Sequence, residues 1–292
     1  MKIRLLAPDS KMPNIAIMKL STYHKQKGDD VDWYNHLFDY QDTDILYISK
    51  IFNFTPDIIY IPLKAKIIKG GTGYDIKSKL SKEIDEITDL DYSLYPDCDY
   101  SMQFYSRGCI RNCSFCVVRE KEGYIYPTKP YKLNPNGKHI EVLDNNFFAS
   151  PKWREAVEDL KQIGQPINFH GIDIRLLDEE QCKALNELKL YKQIHIAWDF
   201  PKINLKPKIK EITKYIKPYK LMCYVLIGFN STPEEDLYRV ETLRNLNVDP
   251  FVMPYNKRDP YQKDFARWVN MKATFKTCTW QEYRGSDKEV RL

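Results

Sequence analysis

The sequence predicts an α/β protein in which a small N-terminal, doubly wound, Rossmann-like domain is followed by a partial (β/α)6 barrel. Short apolar segments of strand length alternate with longer helical patterns, which favours parallel sheets joined by helical crossovers. The length of 292 residues suits about two domains. A hydrophobic share of 43% against a charged share of 29% is enough to bury a core and excludes a disordered chain.

Residues 1–80 carry the pattern of the Rossmann-like domain. Its predicted strands are residues 2–7, 31–34, 45–48 and, more weakly, 65–69. After the first strand, a helical pattern begins at Ile15 and ends at Gly28, because glycine is the usual residue just past a helix end. The fourth strand runs into residues 70–73, Gly-Gly-Thr-Gly, which either let backbone approach a bulky ligand or a phosphate, or form a plain turn.

Residues 81–100 are acidic and rich in turn-forming residues, so they are predicted to be a linker.

The partial barrel is predicted over residues 101–256, with strands at residues 102–106, 139–144, 167–170, 193–198, 220–228 and 251–253. Each parallel step needs a crossover, and three helices are predicted among these strands. The first helix begins after Ser150 as N-cap, has Pro151 at its first position and ends at Gly164. The second covers about residues 178–189. The third begins with a capping box at Thr232 and ends at Asn245.

Residues 257–292 form a C-terminal tail in which aromatic residues are interleaved with Lys and Arg. Such side chains can stack on nucleic-acid bases or cover a barrel mouth. A helix that packs against the barrel and closes the domain has the same composition, and this interpretation is favoured.

The charge, the hydropathy and the cysteines together predict a cytoplasmic protein. The net charge of +5 comes from 45 Lys and Arg against 40 Asp and Glu, and the scattered lysines allow a nucleic-acid partner without demanding one. No apolar run approaches the roughly 18 residues of a membrane helix, and the first residues do not resemble a signal peptide. Seven cysteines, three of them within eight residues, indicate metal chemistry in a reducing compartment.

The sharpest motif is Cys109, Cys113 and Cys116, which have the spacing C-x3-C-x2-C. Three thiolates on one tight loop can hold three irons of a [4Fe–4S] cluster, and the fourth iron is then open to a small molecule or bound by a remote residue. A structural zinc site would usually add a second cysteine knuckle or two histidines, and the sequence has no second knuckle. Plain structural cysteines are the other alternative; the remaining ones are isolated at Cys98, Cys182, Cys223 and Cys278.

The segment from Arg107 to Cys116, with the aromatic Phe115 just before the last cysteine, resembles the signature of the radical S-adenosylmethionine (SAM) superfamily. The resemblance implies that the three cysteines hold a [4Fe–4S] cluster whose unique iron is chelated by SAM. It also implies reductive cleavage of SAM to methionine and a 5′-deoxyadenosyl radical. Phe115 matches the aromatic residue that packs near the adenine in that family.

The same resemblance covers about residues 100 to 256 and implies a SAM site at the ends of the predicted barrel strands, where parallel barrels gather their functional groups. Its implied SAM-binding residues are Phe115, Asp144, Asn145, Asn146, Asp173, Arg175, His195, Asp199 and Gly228. For any one polar residue of this set, a loop-start cap or a surface ion pair is an equally good explanation.

The N-terminal domain is similar to the cobalamin-binding (B12-binding-like) domain that precedes the barrel in one class of this superfamily. Many such domains place D-x-H-x-x-G after the first strand, with the histidine as a cobalt ligand. Here residues 9–14 read Asp-Ser-Lys-Met-Pro-Asn, with neither the histidine nor the glycine. Cobalamin therefore binds without a histidine ligand, or the domain only supports the barrel.

The leading functional hypothesis is a SAM-cleaving iron–sulfur enzyme that abstracts hydrogen from an unidentified substrate and takes electrons from a reductase or a flavodoxin- or ferredoxin-type donor. The two-domain layout makes methyl transfer to an unreactive carbon the leading reaction, with methylthio transfer or a rearrangement as its rival. Methylthiotransferases usually carry three further cluster cysteines in an N-terminal domain, and none precedes Cys98. The alternatives are a non-catalytic electron-transfer or sensing protein with Cys98 or His139 as fourth ligand, and an RNA-modifying enzyme that binds through the tail.

Overall fold

The computed structural model describes residues 1–10 and 12–289, with side chains as far as Arg284. Lys11 of the first predicted loop and the last three residues of the predicted tail lie outside this range. The chain forms two compact units, Met1–Glu141 and Val142–Leu292. The domain limits inferred above at residues 80, 100 and 256 remain predictions.

The first unit is an α/β structure with a parallel sheet, compatible with a Rossmann-like domain. Its elements are β1 (Lys2–Leu6), α1 (Ile15–Gln26), β2 (Asp30–Trp33), β3 (Ile45–Ser49), β4 (Lys66–Gly70), α2 (Lys82–Asp85), β5 (Tyr100–Gln103), β6 (Ser106–Arg107), α3 (Val118–Glu122), β7 (Tyr126–Pro127) and β8 (His139–Val142). The first four strands form one sheet in the order β2-β1-β3-β4, and every neighbouring pair is parallel. All four strands predicted in this region are therefore confirmed.

Local signals define both ends of α1. The side chain of Asn14 accepts hydrogen bonds from the backbone N–H groups of Ala16 and Ile17, so it caps the first turn. Gly28 follows the last turn with a φ of +78°, a conformation that costs glycine nothing. The predicted end of the helix is confirmed.

The segment predicted as a linker contributes to the core of the first unit. Ile84 and Leu94 pack with Ile3, Leu5 and Ile17 beneath the parallel sheet. Acidic composition and turn residues concealed these apolar side chains, because their spacing follows neither a helical nor a strand period.

The second unit carries the other strands predicted for the barrel. Its elements are α4 (Trp153–Ile163), β9 (Ile167–Phe169), α5 (Glu179–Glu187), β10 (Ile194–Ala197), α6 (Lys206–Ile212), β11 (Leu221–Ile227), α7 (Pro233–Asn245), β12 (Asp249–Pro254), α8 (Pro260–Asn270), α9 (Lys272–Thr277) and α10 (Trp280–Glu289). The strands β10, β11 and β12 form a parallel sheet in that order, so their carboxyl ends lie at one edge. Closure into a partial barrel remains a prediction.

Helix starts in the second unit test the capping predictions. The Thr232 capping box is confirmed, because the Thr232 hydroxyl accepts from Glu235 N at 3.3 Å and Glu235 accepts from Thr232 N at 2.9 Å. The prediction for Ser150 was wrong: α4 begins at Trp153 with Lys152 as N-cap. Ser150 Oγ accepts from Lys152 N at 3.3 Å, so it closes a turn before the helix.

The aromatic side chains of the tail pack against one another, as the domain-closing interpretation predicts. Phe265 and Trp268 are fully buried, and Phe275 is almost so. Arg244 of α7 donates to the Phe275 carbonyl oxygen and lies over its ring. These three rings are therefore inaccessible to a nucleic-acid base. Within the described residues, no helix combines the length and apolarity needed to cross a membrane.

Candidate functional site

The three clustered cysteines lie on one loop of the first unit, between β6 and α3. Cys109 and Cys113 are half-buried, Cys116 is exposed, and none of the three forms a disulfide with a described residue. The loop is folded by its own backbone: Cys116 N donates to the Cys113 carbonyl oxygen at 2.9 Å, and Arg111 N donates to Cys109 Sγ at 3.4 Å. The loop therefore holds the three cysteines on one tightly turned segment.

The base of this loop is closed by Glu122, the last residue of α3. One carboxylate oxygen accepts from Arg107 Nη2 at 2.5 Å, and the other accepts from Gly108 N at 2.9 Å. Burial alone would raise the pKa of Glu122, but the hydrogen bond and charge of Arg107 outweigh it and hold that pKa below its usual value. Glu122 is thus an ionised group that joins the chain before the cysteines to the chain after them.

Gly108 must be glycine at this point. Its φ is +76°, and a Cβ there would lie 2.5 Å from the carbonyl oxygen of Tyr124. The next residue, Cys109, donates its N–H to the Gly123 carbonyl oxygen at 3.3 Å. The close approach of these two backbone segments brings the beginning and the end of the cysteine loop together.

The Gly-Gly-Thr-Gly turn of residues 70–73 packs against backbone of its own domain. A Cβ at Gly71 would lie 2.4 Å from the Lys50 carbonyl oxygen, and one at Gly73 would lie 2.7 Å from the Phe52 carbonyl oxygen. The plain-turn interpretation thus accounts for these two glycines, and cobalamin binding remains a prediction. Thr72 accepts a hydrogen bond at 2.5 Å from Lys121 of α3, which connects this turn to the helix after the cysteines.

In the second unit, the residues that follow β8 are held close to Gly171. A Cβ at Gly171 would lie 2.2 Å from the Asp144 carbonyl oxygen, and Phe147 N donates to the Gly171 carbonyl oxygen at 2.9 Å. Asp144 and Asn146 are buried, and the side-chain oxygen of Asn146 accepts no hydrogen bond from the described residues. A buried acceptor of this kind calls for a donor, and an amino group is a suitable one.

Asp173, Arg175 and Asp199 lie near one another at this end of the second unit. Arg175 makes a bidentate ion pair with Asp173, with distances of 2.7 and 2.9 Å, and Asp173 also caps the short helix Ile174–Leu176. The cap and ion-pair explanation therefore accounts for these two residues. Burial raises the pKa of the Asp199 carboxyl, against the opposing effects of the Leu226 N–H and the charges of Arg239 and Arg175.

His195 does not lie where the sequence interpretation placed it. It is the second residue of β10 and is buried in the strand, whereas we expected it at the carboxyl end. Its Nδ1 lies 3.2 Å from the Phe169 carbonyl oxygen, and its ring is tilted against Tyr224. The observed strand, Ile194–Ala197, is one residue shorter than predicted at each end, and two residues still separate His195 from the edge that Asp199 follows. Its assignment to the SAM site remains a prediction.

Sequence reasoning missed Arg239 and Asp236, a fully buried ion pair on α7 with a distance of 2.6 Å. Arg239 also donates to the carbonyl oxygens of Trp198 at 2.7 Å and Asp199 at 3.3 Å, so it fixes the chain just after β10. Tyr261 donates to Asp236 at 3.1 Å. The available signal was the pair of opposite charges three positions apart, a spacing that places them on one helix face.

Gly228, which follows β11, has a φ of +75° and lies against the side chain of Gln262. A Cβ at Gly228 would lie 2.2 Å from that amide, whose oxygen accepts from Asn256 N at 2.9 Å. Glycine therefore permits both the left-handed backbone and the close approach of α8.

We expect Gly228→Ala to destabilise the protein by about 2 kcal/mol, because it adds backbone strain to displacement of the Gln262 amide. Gly164→Ala is the matched control, since Gly164 is also left-handed, with a φ of +69°, but its nearest neighbour is 3.8 Å away. Thermal unfolding of both variants measures the difference. Equal losses would contradict the argument that Gln262 contributes.

Comparison with known proteins gives a distant match. No model of a known protein family matches the chain. The proteins named ribosomal protein uS12 methylthiotransferase RimO from Psychrobacter arcticus and Psychrobacter cryohalolentis are each 22% identical over 159 residues. The chain is distantly similar to methylthiotransferases. The match covers 50% of this chain and 27% and 26% of the two relatives, so the chain spans about a quarter of their length.

The donor set on the cysteine loop fits an iron–sulfur cluster. Among the described residues, no three His, Cys, Asp or Glu side chains converge so that they could hold a metal ion. A cubane cluster does not require such convergence, because each cysteine binds a different iron. Three thiols on a loop closed at its base fit that requirement. In the second unit, the buried Asn146 oxygen is an acceptor available to an amino group.

Proposed function

We propose that this protein is a radical SAM enzyme in which Cys109, Cys113 and Cys116 hold a [4Fe–4S] cluster. The observation that carries the proposal is the closed loop that holds three cysteines in C-x3-C-x2-C spacing. The distant similarity to methylthiotransferases supports it. When bound, the cluster supplies the electron for reductive cleavage of SAM to methionine and a 5′-deoxyadenosyl radical.

The proposed SAM-binding residues belong to the proposed partial (β/α)6 barrel. Phe115 would pack near the adenine of SAM, and the buried oxygen of Asn146 would accept from its amino group together with Asp144 and Asn145. Asp173, Arg175, His195, Asp199 and Gly228 complete the proposed set. Arg239 keeps Asp199 in place through its carbonyl oxygen.

The candidates for a fourth protein ligand are engaged elsewhere. Cys98 is buried, donates its thiol to the Tyr100 carbonyl oxygen at 3.4 Å, and has its pKa raised by that burial. His139 pairs with Glu141 at 2.9 Å in a buried position. These contacts support an open iron for SAM over a non-catalytic cluster with four protein ligands.

Anaerobic reconstitution followed by reduction with dithionite tests the proposal. We expect about four irons per chain, as in one cubane cluster, and 5′-deoxyadenosine when SAM is added. Zinc in place of iron, or an intact reduced cluster that gives no 5′-deoxyadenosine, would contradict it.

Methylthio transfer is the second candidate reaction, favoured by the names of the two relatives. Against it stands the absence of cysteine from residues 1–97, which leaves methyl transfer to an unreactive carbon as the first candidate. Iron counting separates them, because an additional cubane cluster would raise the content to about eight irons per chain.

A further inference from the structure

Glu122 bridges the two chain segments that flank the cysteine loop. Its carboxylate accepts from Gly108 N at 2.9 Å, one residue before Cys109, and from the Arg107 guanidinium at 2.5 Å. Glu122 itself lies six residues after Cys116 and ends α3. One side chain therefore ties the entry of the loop to its exit.

Backbone contacts join the same two segments: β6 pairs with β7 in antiparallel fashion, with Arg107 opposite Tyr126. The Cys109 N–H reaches the Gly123 carbonyl oxygen at 3.3 Å, which is long for a backbone hydrogen bond, and Arg119 donates to the Cys109 carbonyl oxygen at 3.1 Å. Charge-assisted hydrogen bonds to a carboxylate are shorter and roughly twice as strong as neutral ones. The Glu122 carboxylate contributes two charge-assisted bonds on the entry side of the loop, to Arg107 and to Gly108 N.

The helix that carries Glu122 is itself anchored. Lys121 donates to Thr72 at 2.5 Å, and Thr72 belongs to the turn of residues 70–73 that packs on the Lys50 backbone. This contact ties α3, and with it Glu122, to the turn of residues 70–73.

We propose that Glu122 is a positioning residue for the cluster: it sets Cys109 relative to Cys113 and Cys116 by holding Gly108, and it is not itself a ligand. Arg107 directs the carboxylate by occupying its other oxygen. This inference rests on the proposed function, because it assumes that the three thiols meet one cluster. Three ligands on one loop must be placed together, so a shift of the backbone at Gly108 separates the first thiol from the other two.

Glu122→Gln tests the proposal, with Glu120→Gln as its matched control. Glu120 lies on the same helix and is exposed, so both variants remove one negative charge near the loop. After anaerobic reconstitution, we expect a chelator to remove iron from Glu122→Gln about tenfold faster than from wild type, the lower end of the usual effect of residues that orient ligands. Glu120→Gln should stay within about twofold of wild type, since it makes no bond across the base.

Two further measurements distinguish a positioning role of Glu122 from a general effect on the folded structure. The electron paramagnetic resonance spectrum of the reduced cluster should broaden in Glu122→Gln and not in Glu120→Gln. Hydrogen exchange of the metal-free proteins should be about tenfold faster at Gly108 in Glu122→Gln alone, because that amide loses its charged acceptor. Equal iron-release rates in the two variants, or unchanged exchange at Gly108, would overturn the proposal.

A shorter carboxylate keeps the test decisive if the glutamine variant does not fold. Glu122→Asp retains the charge but falls one methylene short, so its iron release should lie between wild type and the tenfold change; release at the wild-type rate would overturn the proposal. Absence of iron from reconstituted wild type would instead contradict the proposed function. In that case, unchanged exchange at Gly108 would also show that Glu122 does not order the loop.

Discussion

Replacing any one of Cys109, Cys113 and Cys116 with alanine is expected to lower the iron content from about four per chain to below about one, because two remaining thiolates cannot retain a cubane cluster. Formation of 5′-deoxyadenosine should fall below detection in the same variants. Iron analysis and chromatography of the SAM products after anaerobic reconstitution measure both losses. The effect should be equal for the three residues, since each is expected to bind a different iron.

Cys98→Ser is the control for this experiment. Serine preserves a donor to the Tyr100 carbonyl oxygen, so the buried position is disturbed little. We expect this variant to keep its iron and its SAM cleavage. Loss of the cluster in Cys98→Ser would contradict the enzyme proposal, because it would identify a fourth protein ligand and favour an electron-transfer or sensing protein. Retention of iron in Cys109→Ala would contradict the ligand assignment itself.

The parts of the fold that the sequence predicts are those encoded by neighbouring residues. The capping box of α7 needs only Thr232 and Glu235, three positions apart, and the end of α1 needs only Gly28. The alternation of strands and helices is likewise local. The start of α4 was misplaced because Ser150 is a suitable cap in sequence terms, while its hydroxyl closes the preceding turn instead.

In the candidate site, too, the sequence predicts the features that neighbouring residues encode and misses those that depend on distant ones. The cysteine spacing is contained in eight residues and could be recognised directly. The Glu122 bridge could not be, because Arg107 and Gly108 lie 15 and 14 residues away from it and only the path of the loop brings them together. His195 lies inside β10 and not at its carboxyl end, because strand ends are set by pairing with β11 more than by local preference.

The buried ion pair of α7 provides the second large expected effect. We expect Arg239→Met to destabilise the protein by about 3–5 kcal/mol, because it leaves the Asp236 carboxylate buried without its counter-charge. This corresponds to a fall in melting temperature of about 10 °C for a unit of this size. Thermal unfolding of the metal-free protein measures the effect without any contribution from a cluster.

The double variant Arg239→Met with Asp236→Leu separates stability from the site. Removing both charges together should recover part of the lost stability, because no unpaired charge stays buried, although the Trp198 carbonyl and the Tyr261 hydroxyl lose their partners. It cannot restore the two bonds from Arg239 to the carbonyl oxygens of Trp198 and Asp199. SAM binding should therefore stay weakened, by about tenfold for the loss of one charge-assisted bond. A double variant with both wild-type stability and wild-type SAM affinity would show that Arg239 does not position Asp199. A single variant Arg239→Met with the melting temperature of wild type would show that the ion pair does not stabilise the protein.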